Sequence, residues 1–163
     1  MSVNVGDRTQ SKIEVVYQAI KLRESLSSLS LRSFGVRSRN SILRRKYEHA
    51  IHLEGRLDTT EELIKMGSRT LLNLASDIEM NLNAANAIFP RSKQDLALRR
   101  DYQNKALADC RMARDELNQI ASFFDVDIAY FRESVERLDK EIDLIKAWKR
   151  SDIKRFKSLK GTF

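Results

Sequence analysis

The chain has 163 residues, of which 33% are charged and 42% apolar, with only five glycines and one proline. This length supports a single domain with its own core, and few helix breakers among many charges are typical of long helices. No apolar run approaches the roughly 20 residues of a membrane span, and residues 1–7 lack the pattern of a secretory signal. One cysteine excludes an intrachain disulfide. We therefore expect a cytoplasmic helical protein without a membrane segment.

The first helix is predicted from a capping pattern. Ser11 and Glu14 have the spacing of a capping box, which predicts a helix N-terminus at that point. The serines at 25–30 weaken the helical pattern because their hydroxyls compete for backbone groups, and the helix is predicted to end before Gly35. The residues predicted to form its apolar face are Ile13, Val16, Tyr17 and Ile20.

Two further helices are predicted before the proline. One covers about residues 40–57 and the next about 59–89, with a single bent helix as the alternative. Pro90 ends this stretch because the residue before a proline is disfavoured in helical geometry. The predicted apolar positions of the 59–89 helix are Leu63, Met66, Leu71, Leu74, Ile78, Leu82 and Ala85.

The second half of the chain predicts two long helices. Ser92 and Asp95 open a helix that reaches about Phe124, and Asp125 or Asp127 caps the last one. Short links of this kind place neighbouring helices antiparallel. The apolar stripe of the first is Ala106, Cys110, Ala113, Leu117, Ile120 and Phe124. The heptad stripe of the second is Ile128, Phe131, Val135, Leu138, Ile142 and Ile145.

These elements predict an all-α fold. We expect an up-down antiparallel four-helix bundle forming one domain over residues 1–163, with an extra N-terminal helix as an alternative. Residues 1–10 and 159–163 are predicted to be flexible tails. Leu107 and Leu144 lie off the main apolar stripes, so they are candidates for a subunit interface.

Residues that could support catalysis are few. Cys110 lies on an apolar stripe, where a free cysteine is usually a small core residue. His49 and His52 are three residues apart, but the His-Glu-x-x-His arrangement of metalloproteases is missing. We therefore predict no enzymatic activity, no metal site and no cofactor. A metal-dependent enzyme built around the two histidines is the alternative.

Positive charge is concentrated in two stretches. The net charge is +7, yet residues 32–46 hold six basic and no acidic residues, and residues 146–163 hold seven basic residues and one acidic residue. Such clustering favours a polyanionic partner through counterion release, with exposed, solubilising helix ends as the alternative. The candidate contact residues for nucleic acid or a protein partner are Arg37, Arg39, Arg44, Arg45, Lys46, Arg99, Arg100, Lys149, Arg150, Lys154 and Arg155. Trp148 lies among them, but its spacing from Ile145 favours a place in the core.

The last 75 or so residues resemble a known family. The matching stretches are 87–90, 99–106, 125–128 and 141–152, of which Trp148-Lys149-Arg150-Ser151-Asp152 is the most specific. This pattern resembles the accessory variability determinant proteins of diversity-generating retroelements. Ala147 departs from it, because glycine is frequent there in the family, and the N-terminal part is longer than in compact members. A related family of four-helix proteins encoded within ribosomal RNA insertions shares the fold and stays an alternative.

The resemblance implies a function as well as a fold. It implies a non-enzymatic four-helix protomer, assembled into a homopentamer, that binds the retroelement's reverse transcriptase and its template RNA to support mutagenic complementary-DNA synthesis. DNA or an RNA/DNA hybrid is an alternative ligand. By this resemblance Arg99, Arg100, Lys149 and Arg150 are candidate polyanion or partner contacts. The competing interpretation is a structural bundle whose basic ends bind an acidic protein.

Overall fold

The computed structural model describes residues 5–36, 60–124 and 126–160, with side chains at 14–36, 61–124 and 126–157. Within these residues the chain forms four α-helices and no β-strand. The helices are α1 (Val5–Leu31), α2 (Thr60–Ala87), α3 (Lys93–Phe123) and α4 (Ile128–Lys160), with a short 3-10 turn at Ser33–Gly35. None of the described helices combines the length and apolar character that a membrane span requires.

The helices form an up-down-up-down bundle. Each packs on the next in the chain, and α4 packs back on α1, so the four enclose one core. Contacts between neighbouring helices join earlier positions of one helix to later positions of the other, which shows that these helices run antiparallel. The contacts are Glu14–Lys140 and Ser25–Ser134 for α1 with α4, Asn81–Asp109 for α2 with α3, and Arg99–Asp152 and Arg114–Asp139 for α3 with α4. The predicted four-helix bundle is confirmed.

The first helix differs from its prediction. It begins at Val5, so Ser11 and Glu14 lie inside the helix and do not cap it. It continues through the serines to Leu31. The hydroxyls of Ser25 and Ser27 bond to Ser134 Oγ at 2.8 Å and to the Arg23 carbonyl at 2.7 Å, whereas the buried Ser30 hydroxyl has no hydrogen-bond partner. Its core-facing residues are Val15, Ala19, Leu22, Leu26 and Leu29, whereas Tyr17 and Ile20 are exposed. Helix also extends into both segments predicted as tails, starting at Val5 and ending at Lys160.

The later boundaries agree with the sequence. The Ser92 hydroxyl accepts from Asp95 N–H, and the Asp95 carboxylate accepts from Ser92 N–H, so the capping box of α3 is present. Asp127 accepts from Ala129 N–H at the start of α4. The α3 stripe is buried throughout. The heptad stripe of α4 faces the core except at Ile128, which is 74% exposed because it begins the helix.

The predicted helix at 40–57 lies outside the described residues. Five of the candidate basic residues and both histidines belong to that part of the chain: Arg37, Arg39, Arg44, Arg45, Lys46, His49 and His52.

Candidate nucleic-acid interface

One end of the bundle is strongly basic. Here α2 ends, α3 begins and α4 ends, and we call this region, residues 88–105 and 143–157, the Pro90 end. It contains eleven basic and four acidic residues, whereas residues 112–136 toward the opposite end contain two basic and six acidic residues. The antiparallel packing of α3 on α4 brings these separate stretches together. Within the described parts of α3 and α4, positive charge is therefore concentrated toward the Pro90 end.

Arg99 lies in the core of the Pro90 end. Its guanidinium donates from Nε to Asp152 Oδ2 at 2.7 Å and from Nη2 to Asp152 Oδ1 at 3.1 Å, and Nη1 donates to the Ile88 carbonyl at 2.7 Å. Arg99 is fully buried. The prediction that it contacts a polyanion or partner is therefore wrong for this conformation, because its charge is used inside the protein.

Trp148 completes this buried cluster. Its ring packs against the Arg99 guanidinium, with 4.6 Å between the guanidinium carbon and the ring centroid. Gln103 Nε2 also donates to Asp152, at 2.9 Å. The prediction that Trp148 is a core residue is confirmed, since only 3% of its surface is exposed. It is therefore not available to stack on a base in this conformation.

The neighbouring cations point away from the core. Arg100 and Arg150 are exposed and Lys149 is half-buried. Lys149 Nζ donates to Asn104 Oδ1 across the groove between α3 and α4. The pKa of Lys149 is lowered, first by partial burial and then by the positive charges of Arg100 and Arg111. Sequence reasoning missed Arg111, although its helical spacing from Arg100 could have indicated a shared face.

Farther along α4, Lys154 is exposed and Arg155 is half-buried. Arg155 lies close enough to Arg99 to disfavour its charged form, so it flanks the buried cluster. The structure thus brings Arg100, Lys149, Arg150, Lys154 and Arg155 to the Pro90 end.

Several cations elsewhere on the bundle are paired with carboxylates. The pairs are Lys21–Glu24, Arg23–Glu79, Arg114–Asp139, Arg137–Glu133 and Lys140–Glu14. Arg100, Arg111, Lys149 and Arg150 form no salt bridge with any described side chain, and neither do Lys65, Arg69 and Arg132 on other parts of the bundle. Charge that is not neutralised within the protein is available to an external anion.

A thiol and a carboxyl are buried in the core. Cys110 is fully buried, and burial raises the pKa of its thiol, so the nucleophilic thiolate is disfavoured. Glu141 is also fully buried, its two carboxylate oxygens have no hydrogen-bond partner, and burial raises its pKa to about 8. The described residues include no cluster of metal-ligating side chains.

The two residues proposed for a subunit interface differ in burial. Leu107 is buried in the core and offers no free apolar surface, whereas Leu144 is only partly buried against the core. The prediction for Leu107 is wrong because the face of α3 that packs in the core is wider than the apolar stripe predicted from the sequence, and it includes Leu107. The large apolar side chains exposed on α2 and α3 are Met66, Leu72, Met80, Leu98 and Met112.

Comparisons with protein-family models, curated proteins and solved structures found no significant match to this chain. The described residues define a four-helix bundle whose α3 and α4 are rich in basic residues at the Pro90 end.

Proposed function

We propose that this protein is a non-enzymatic accessory subunit of a diversity-generating retroelement, resembling the accessory variability determinants. In this role it binds template RNA and the reverse transcriptase and supports mutagenic complementary-DNA synthesis. The observation that carries the proposal is that Arg100, Lys149 and Arg150, at the Pro90 end of α3 and α4, form no salt bridge with a described side chain. Phosphate groups are the usual partners of such a surface, since binding them releases condensed counterions.

The alternation within residues 148–152 supports the proposal physically. Trp148 and Asp152 are buried and hold Arg99, whereas Lys149 and Arg150 between them face outward. One turn of helix therefore combines the residues that fasten α4 to α3 with residues that are free to bind. Residues 148–152 are the stretch that most resembles the family. Their alternation of buried and outward-facing side chains supports the proposal that this stretch both packs in the core and binds a partner.

The proposal is tested by the double charge reversal Lys149→Glu with Arg150→Glu. Both side chains lie outside the core, so the fold is expected to persist, as circular dichroism would check. We expect RNA affinity to fall by at least tenfold at about 0.1 M salt, because attraction becomes repulsion at two positions. Wild-type affinity should also fall steeply with salt.

A matched control reverses the same charge elsewhere. Arg69→Glu with Arg132→Glu changes two exposed arginines on α2 and α4 by the same total charge. This variant should keep most of the RNA affinity and its association with the reverse transcriptase. Unchanged RNA binding and unchanged association in the Lys149/Arg150 variant would overturn the assignment of this surface. Wild-type protein that binds an acidic protein but no RNA at low salt would favour the structural-bundle interpretation.

A further inference from the structure

Three residues of α3 lie on one stripe that runs from the Pro90 end toward the middle of the helix. Arg100, Asn104 and Arg111 are separated by four and seven residues, which places them within about 40° of one another around the helix. All three are exposed. This stripe borders α4, because Lys149 reaches across to hydrogen-bond with Asn104.

The three cations near this stripe have no carboxylate partner among the described residues. Lys149 and the two arginines form no salt bridge with a described carboxylate, although Arg114, on the next turn of α3, is paired with Asp139 at 2.8 Å. The charges of Arg100 and Arg111 both act unfavourably on the charge of Lys149, and an anion bound among the three would offset this repulsion. Asn104 adds an amide nitrogen with two N–H donors.

We propose that Arg100, Arg111 and Lys149, with the amide of Asn104, form a binding site for one phosphate group of a nucleic-acid backbone. This inference rests on the proposed function for the identity of the polyanion, but the site itself is defined by its own residues. A guanidinium group can donate two parallel hydrogen bonds to two phosphate oxygens, whereas the lysine ammonium acts as a point charge. The combination therefore suits a tetrahedral anion. The side chain of Asn104 holds Lys149 in place.

The first test compares two single substitutions on α3. Arg111→Gln removes a cation of the site, and Arg114→Gln removes one already neutralised by Asp139. Measured with a single-stranded RNA, Arg111→Gln should weaken binding several-fold and reduce the slope of log affinity against log salt by about 0.7–1, the value of one phosphate contact. Arg114→Gln should leave both quantities near wild type.

The second test uses inorganic pyrophosphate as the probe and needs no RNA. An amine-reactive ester at limiting concentration labels Lys149, and mass spectrometry quantifies the label against Lys65, which lies on α2. We expect pyrophosphate, compared with sodium chloride at equal ionic strength, to protect Lys149 selectively. The protection should be weaker in Arg111→Gln and unchanged in Arg114→Gln.

The outcomes separate the site from the proposed function. RNA binding whose affinity and salt slope are the same for Arg111→Gln and wild type would overturn the site while leaving RNA binding intact. Selective protection by pyrophosphate in a protein that binds no RNA would support the site and contradict the proposed function. Absence of both protection and RNA binding would overturn both.

Discussion

Arg99 and Asp152, which are 53 positions apart, form a two-pronged ion pair in the core, with N–O distances of 2.7 and 3.1 Å. The pair fastens the start of α3 to the last part of α4, directly beneath the outward-facing cations. Arg99, which the sequence suggested as a ligand contact, therefore stabilises the packing beneath the exposed cations.

The first prediction concerns this ion pair. Asp152→Ala should destabilise the fold by about 3–5 kcal/mol, because it leaves the buried guanidinium without its counter-charge. The double variant Arg99→Met with Asp152→Leu should recover much of that loss, since no buried charge remains. Chemical denaturation measures both. RNA affinity of the folded double variant should equal that of wild type, and a large loss would restore Arg99 as a ligand contact.

The second prediction concerns Glu141 and pH. Its pKa rises from 4.5 when exposed to about 8 in the core, mainly through burial, while Lys140 opposes and Glu14 adds to this shift. Between these values the folded protein holds a proton that the unfolded chain has released. The free energy of unfolding should therefore fall as pH rises through this window, by up to about 1.4 kcal/mol per pH unit, and level off above it.

Glu141→Gln tests this effect because its amide has no charge to bury. Denaturation at several pH values should show that the variant lacks the decline and exceeds wild type in stability at alkaline pH. Glu136→Gln, at an exposed position of the same helix, should leave the profile unchanged. An identical pH profile for Glu141→Gln and wild type would contradict the buried, neutral carboxyl.

The third prediction concerns the turn after α1. Ser33, Phe34 and Gly35 all have positive φ, and this backbone turns the Phe34 ring into the core, 6.4 Å from the ring of Phe131. A Cβ on Gly35 would lie 2.6 Å from the Tyr130 ring. Gly35→Ala should therefore destabilise the fold by more than the roughly 1 kcal/mol expected from its left-handed φ alone.

A double-variant cycle separates the two causes. In a Tyr130→Ala background, Gly35→Ala should cost only the backbone part, because the clashing ring is gone. Gly67→Ala is the matched control: its Cβ would meet the flexible end of Ile120 at 2.9 Å, and alanine favours the helix. Equal effects of Gly35→Ala and Gly67→Ala on thermal unfolding would contradict the predicted clash between a Cβ at position 35 and the Tyr130 ring.

The fourth prediction concerns assembly, which rests on the resemblance. We expect a homopentamer, with a mass five times the 18.9 kDa of the protomer in sedimentation or light-scattering measurements. The exposed apolar side chains Met80 and Met112 are suited to a subunit contact. A monomer at micromolar concentration would contradict this prediction without affecting the RNA-binding site.

Most of the fold could be predicted because its signals are local. Pro90, the Ser92–Asp95 capping box and the regular apolar spacing of α3 and α4 depend on groups within one or two turns of each other. The first helix was placed less well. Its predicted face used Tyr17 and Ile20, but a smaller set including Ala19 and Leu22 faces the core. Periodicity alone does not decide between two overlapping stripes when both contain apolar residues.

In the candidate site, too, some features could be predicted from the sequence and others depend on how the helices pack. The sequence by itself determined that positive charge is concentrated in residues 32–46 and 146–163, because the number of charged residues in each stretch is read directly from the sequence. Only the tertiary structure decided that Arg99 is buried against Asp152, and that Lys149 of α4 bonds to Asn104 of α3. The physical reason is that adjacent arginines on a helix point about 100° apart, so the packing of α3 on α4 assigns one to the core and the other to the surface.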